Sequence, residues 1–207
     1  MHGIRYTARN KESLKENETN MRILAFDPSK TCGVALIDDG VLRHSWLILS
    51  PEENNGLIYR FFLNSIKNII LWNIPDLIVQ ESYFVGKFHN GADVNYVLRG
   101  LIELAAADSG RPLRYVTPTE WKKHVAGRST PSVEQKKLWG AKANKQFIIK
   151  ALEEDFGISL PDYIDSKGKA KKPTSDCWDA IGIALCAANF KGKILSTVEE
   201  IGVSYGR

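Results

Sequence analysis

Cysteine is scarce: Cys32, Cys177 and Cys186 are the only three, and no two stand in a C-x-x-C pair. That count and spacing exclude a disulfide framework and point to a reduced, intracellular (cytoplasmic) setting. Histidine is equally thin. His2, His44, His89 and His124 are scattered, so nothing resembles a zinc site. No apolar run approaches the ~20 residues that a bilayer span requires. The densest stretch, Leu57 to Ile74, is broken by Arg60, Asn64, Lys67 and Asn68 and reads as a buried helix. A G-x-x-x-x-G-K-[ST] phosphate loop is missing as well. The first 20 residues carry Arg and Lys but no apolar h-region, and Glu12, Glu16 and Glu18 argue against a transit peptide. Residues 1–20 are therefore expected to be a disordered leader, 21–190 a single domain, and 191–207 a C-terminal tail.

Charge is present in ordinary amount but unevenly placed. The net charge is +4, yet between Lys122 and Lys145 seven basic residues (Lys122, Lys123, Arg128, Lys136, Lys137, Lys142 and Lys145) face one acid, Glu134. Lys167, Lys169, Lys171 and Lys172 make a second cluster. Such local excess suits a polyanion, although a charge run also serves as a solvated face.

The apolar pattern alternates between short runs and longer periodic segments. Arg22 to Asp27 reads as a central strand. Gly33–Ile37 and Val41–Leu49 flank Asp38-Asp39-Gly40, a hairpin signal. Helices are predicted over about Glu52–Trp72, Ala92–Asp108, Asn144–Phe156 and Ser175–Asn189, with another opening at Thr117-Pro118. Strands are predicted at Leu77–Glu81 and Leu113–Val116. The Gly/Ser/Lys-rich stretch 164–175 reads as a mobile loop. Together these predict one α/β domain with a mixed sheet.

Acidic residues at the ends of apolar elements stand out, because burying a charge there is costly unless something binds it. Asp27 ends the first central strand and Glu81 ends another. If the two strands lie side by side and parallel, the carboxylates meet in the crevice at their carboxyl ends. Asp176 and Asp179 are three apart, on one face of a helix whose following residues are almost wholly apolar. Each has a plainer alternative. An Asp before Pro28 and Ser29 suits a turn, and Asp176 suits a helix N-terminus. Glu81 has the weakest excuse, since strands disfavour Glu and Val79 precedes it on the same face. As a set, the four fit phosphodiester hydrolysis assisted by two hard cations about 3.5–4 Å apart, Mg²⁺ or Mn²⁺, held by carboxylate oxygens.

Several motifs then resemble one family. Phe26-Asp27-Pro28-Ser29 with Gly33-Val-Ala-Leu resembles the first motif of the RuvC Holliday-junction resolvases, of ribonuclease H-like fold. Val79-Gln-Glu81-Ser-Tyr-Phe84 resembles the second, and Asp176-Cys-Trp-Asp179-Ala-Ile the last. The segment Gly91 to Gly110, with Arg99-Gly100 before an Ala-rich half, is similar to the family's dimer helix. Tyr115-Val-Thr-Pro-Thr-Glu-Trp-Lys122-Lys and Val125-Ala-Gly127 are similar to the segment leading into its basic DNA-binding loop. The likeness runs from Met21 to about Asn189. Two departures stand out: the 20-residue leader, and a longer stretch from Arg128 to Ala143. They fit a divergent viral or organellar member.

The resemblance implies a ribonuclease H-like mixed five-stranded sheet flanked by helices. It also implies an endodeoxyribonuclease that resolves four-way junctions by paired symmetric nicks, with two Mg²⁺ or Mn²⁺ per site on Asp27, Glu81, Asp176 and Asp179. A homodimer through the helix at 92–108 follows, with Val94, Leu98, Leu101 and Ala105 on one apolar stripe and Tyr96, Val97 and Leu104 flanking it. Phe84, with Tyr83 beside it and Lys87 beyond, is expected at the DNA crossover. The basic residues from Lys122 to Lys145 are expected on the phosphate backbone, with Lys122 and Lys145 the positional matches to the family's lysines. The alternative is a ribonuclease H-like nuclease of broader taste for branched DNA, flaps or RNA–DNA hybrids. A sugar-kinase-like phosphotransferase would need a second such domain, for which 207 residues leave no room.

Overall fold

The computed structural model describes residues 21–52, 54–82 and 92–205. The leader at 1–20 and the candidate DNA contacts Tyr83, Phe84 and Lys87 lie outside these residues. Among the described residues no helix is long and apolar enough to cross a membrane.

Strand β1 (Ile23–Asp27) is buried along its whole length. β2 (Thr31–Asp38) and β3 (Val41–Leu49) form the expected antiparallel hairpin. Its two turn residues, Asp39 and Gly40, both take positive φ (51° and 71°), the turn whose twist matches that of the strands. β4 (Leu77–Glu81) pairs parallel with β1, and β5 (Leu113–Val116) pairs parallel with β4. The order β5-β4-β1-β2-β3 gives the mixed five-stranded core of the sheet.

Helix α1 (Asn55–Asn73) begins later than Glu52 because the Asn54 side chain accepts from the Gly56 and Leu57 amides and caps it there. α2 (Ala92–Asp108) falls where the pattern predicts it. α3 (Pro118–Ala126) opens with a reciprocal capping box between Thr117 and Glu120. α4 (Val133–Trp139) is followed by a short 3₁₀ turn (Gly140–Lys142), α5 (Ala143–Glu154) and α6 (Ser175–Ala187).

Strand alternation divides the core into two layers. Leu24, Phe26, Val34 and Ile78 face α1 and α2, where Phe62, Ile66, Leu98, Ile102 and Ala105 are buried. Ile23, Ala25, Ala35 and Val79 face α3, α5 and α6, against Trp121, Phe147, Leu152 and Ile181. Asp27 and Glu81 share the parity of the second set and so stand on the face that α6 covers.

Three expectations are corrected. Among the described residues the sheet has seven strands rather than five. The extra two, β8 (Leu195–Ser196) and β9 (Ile201–Tyr205), come from the segment predicted as a tail and pair parallel with β3. Ile201 is buried there with Leu47 and Cys177, and that apolar contact recruits the strand. The stretch 164–175, predicted as a loop, holds all but the first residue of a small hairpin, β6 (Tyr163–Ile164) with β7 (Ala170–Lys171). Asp165 nucleates it by accepting from the Lys167 and Lys169 amides, each at 2.9 Å. Within the long stretch 128–143, Ser132 and Gln135 cap α4 reciprocally.

Candidate active site

The parallel register of β1 and β4, with Phe26 opposite Gln80, brings their carboxyl ends level, and Asp27 and Glu81 follow as the next residues. On the other side of β1, Asp27 pairs with Gly33 of β2. A Cβ added to Gly33 would lie 2.0 Å from the Asp176 carbonyl oxygen. Only glycine therefore lets the first turn of α6 rest on the sheet, and that contact sets Asp176 and Asp179 above Asp27.

Electrostatics show how closely the four acids share this crevice. Burial, and then the charges of Asp179, Glu81 and Asp176, hold the Asp27 carboxyl well above the usual carboxylate range. Burial pushes Asp179 up to about 7, with Lys122 opposing the rise and Glu81 and Asp176 adding to it. Asp176 is raised by burial and drawn back by Lys145. Such clustering of desolvated like charges is typical of functional sites, because it is costly otherwise.

Glu81 is gripped from two sides. Its Oε1 accepts from the Trp121 indole N–H at 2.8 Å, and its Oε2 lies 3.8 Å from an Arg99 guanidinium nitrogen. Among the described residues no three His, Cys, Asp or Glu side chains converge on one point as a ready-made cage. The donor chemistry still fits hard divalent cations, which take carboxylate oxygens and keep several waters.

The predicted basic residues separate into groups. Lys145 donates from Nζ to Ser175 Oγ at 2.7 Å, beside Asp176, and Lys122 acts on Asp179 while lying 5.1 Å from the Trp121 ring centre. These two rim the acids. Lys136, Lys137 and Lys142 are exposed on α4 and the turn leading into α5. Lys123 instead lines a groove with Arg114, His124, Cys186 and Lys191, and Arg128 one with Lys150 and Glu154. Neither groove includes a candidate acid. Sequence reasoning assigned no role to Trp121 or Gly33; a tryptophan on an inward helix face, whose buried N–H needs a partner, is the signal for the first.

RuvC from Bifidobacterium adolescentis, a crossover junction endodeoxyribonuclease, is 30% identical over 176 residues, covering 81% of this chain and 79% of the relative. The chain belongs to the RuvC family of crossover junction endodeoxyribonucleases. RuvC from Clostridioides difficile is 25% identical over 199 residues, 89% of this chain and 99% of that one. Among solved structures, T. thermophilus RuvC in complex with Holliday junction substrate superposes with a TM-score of 0.57 at 18% identity, covering 82% of this chain and 94% of that one. Thermus thermophilus RuvC in a second structure gives a TM-score of 0.54 at 20% identity, over 84% of this chain and 100% of that one. These two likenesses establish the RuvC fold. No protein-family model matches the chain.

Proposed function

We propose that this RuvC family member is a divalent-metal-dependent endodeoxyribonuclease that resolves four-way (Holliday) junctions by paired symmetric nicks. One observation supports the reading: β1, β4 and α6 bring four carboxylates close enough for their charges to raise the Asp27 carboxyl, with Lys122 and Lys145 opposing the rise at Asp179. Asp27, Glu81, Asp176 and Asp179 are the groups that would hold two Mg²⁺ or Mn²⁺. When bound, the cations supply an activated water and a neutralised leaving oxygen, so that no protein nucleophile is required.

The chain's own residues do the rest. Lys122 and Lys145 offset the charge of the acids and hold the scissile strand's phosphates, while Lys136, Lys137 and Lys142 extend that contact along an arm. Lys123 and Arg128 continue the basic surface away from the crevice. Phe84, with Tyr83 and Lys87, reads the crossover, a role that rests on the family likeness. Arg99 and Trp121 orient Glu81.

Two symmetric nicks need two sites, and α2 offers the surface to pair them. Leu98 and Ala105 are buried beneath it, with Val94 and Leu101 packed at their edge. On its outer side Tyr96 and Leu104 are exposed, and the Gly100 position between them faces open space. Residues 96, 100 and 104 recur every four positions and form one stripe, with a small residue at its centre where a second helix can approach. The protein works inside the cell, where the substrate is.

Four-way junction, linear duplex, flap and RNA–DNA hybrid, incubated side by side with Mg²⁺, test the reading. Paired nicks confined to the junction are expected. Comparable cutting of hybrid or flap would replace it with a nuclease of broader substrate range.

A further inference from the structure

Trp121 is fully buried and has one polar atom, its indole N–H. A buried indole nitrogen needs an acceptor. Here it takes a carboxylate, Glu81 Oε1, at 2.8 Å, which makes the bond charge-assisted and stronger than one to a neutral oxygen. The ring itself is locked in place. A Cβ added to Gly182 of α6 would come within 2.8 and 2.9 Å of Trp121 Cε3 and Cζ3, so the indole lies flush against the helix that carries Asp179. Lys122, the next residue, rests its ammonium 5.1 Å from the same ring.

We infer that Trp121 is a positioning residue for Glu81, a role that rests on the reading of Glu81 as a metal ligand. Glu81 has three rotatable bonds and retains side-chain exposure of 18%, while Asp27 and Asp179 repel it from within the crevice. Left alone it would swing toward water. The indole N–H holds Oε1 against that swing, while Arg99 stands 3.8 Å from Oε2 on the other side. Because the same ring packs on Gly182, Trp121 links two of the three ligand-bearing elements, α6 and β4. A tryptophan serving only as core would fill the same space with its N–H on any acceptor. This one uses a charged group of the site.

The test replaces Trp121 with benzothienylalanine, which keeps the ring shape and puts sulfur where the N–H was. Binding of Mn²⁺ is read from the rise in melting temperature as Mn²⁺ is titrated. Loss of an outer partner of a metal ligand typically costs about 10–100-fold in affinity. We expect the half-saturating Mn²⁺ concentration to rise about tenfold or more. The metal-free melting temperature should fall only by the few degrees that loss of one charge-assisted hydrogen bond costs, and cleavage should recover as Mn²⁺ is raised. A second variant, Trp121→Phe with Gly182→Ala, removes the donor while the added methyl takes up vacated space, and it should shift Mn²⁺ binding in the same direction. Wild-type Mn²⁺ half-saturation in a folded variant would overturn the inference. Glu81→Gln separates the two levels. If it leaves Mn²⁺ binding unchanged, the metal reading of the site fails; if it weakens binding and the benzothienyl variant does not, only the positioning role fails.

Discussion

Gly33 and Asp176 meet so closely that a Cβ on the first would lie 2.0 Å from the carbonyl oxygen of the second. The contact joins β2 to the first turn of α6 and fixes the height of two carboxylates above a third. Gly33→Ala must push α6 away from the sheet. Overpacking of this kind costs about 1–3 kcal/mol, and a backbone neighbour cannot turn aside as a side chain can. Gly33→Ala is expected to lower the melting temperature by several degrees and to reduce junction cleavage far more than junction binding. A variant that melts and cuts like wild type would show that α6 does not rest on Gly33.

The acids should make the metal-free protein sensitive to pH. Asp27 is held well above its ordinary range by burial and by Asp179, Glu81 and Asp176, and Asp179 is pushed by burial to about 7. In the unfolded chain an aspartate titrates near 3.9, so the folded state binds these protons more tightly. Their contribution to stability is fully present below about pH 4 and is lost as pH rises through about 7. Metal-free protein should therefore melt at a lower temperature at about pH 8 than at about pH 5.5. Mg²⁺ should reverse the loss, and Asp27→Asn should raise the melting temperature at the higher pH. A metal-free melting temperature that climbs over this range would contradict the assignment of strain to the carboxylates.

Much of this was legible in the sequence, and the part that was not has a common cause. β4 and α2 match their predicted bounds because each is a single uninterrupted pattern bounded by Pro, Asp or Gly. Asp27 and Glu81 were visible for the same reason: a charge ending an apolar run is a local signal. β9 carries only a short period-2 alternation and no charge or hairpin turn to mark it. Ile201-Gly-Val-Ser-Tyr205 finds its partner in β3, far away in the chain. The Trp121–Glu81 bond is likewise made between elements distant in sequence. Helix α4 differs, since Ser132-Val-Glu-Gln135 is a capping-box signature in its own right. The long Arg128–Ala143 stretch therefore contains a helix start that composition alone conceals.

The rim lysines should act through phosphate contact. Lys145 bonds Ser175 next to Asp176, and Lys122 acts on Asp179, so both lie where the strand must approach. Each lost phosphate contact flattens the log–log salt dependence of binding by about 0.9. Lys122→Gln with Lys145→Gln should weaken junction binding and reduce that slope together. If affinity falls while the slope stays fixed, these lysines act through folding and the DNA runs elsewhere.

The outer stripe of α2 should hold the dimer. Leu104 is 46% exposed, so Leu104→Glu should cost the monomer little stability. In solution wild type is expected to scatter light as a dimer and the variant as a monomer, and paired nicks should become single, uncoordinated ones. Paired nicking by a wild-type protein that remains monomeric during the reaction would remove the dimer from the account.

The central claim is that Asp27, Glu81, Asp176 and Asp179 form one catalytic site, and separate measurement of cutting and binding tests it most directly. Asp27→Asn and Asp179→Asn each delete one negative charge from the crevice without changing its shape. With Mg²⁺ and a four-way junction, both variants should show no detectable cleavage, while their junction affinity equals or exceeds that of wild type. Wild-type cleavage rates in either variant would contradict the claim.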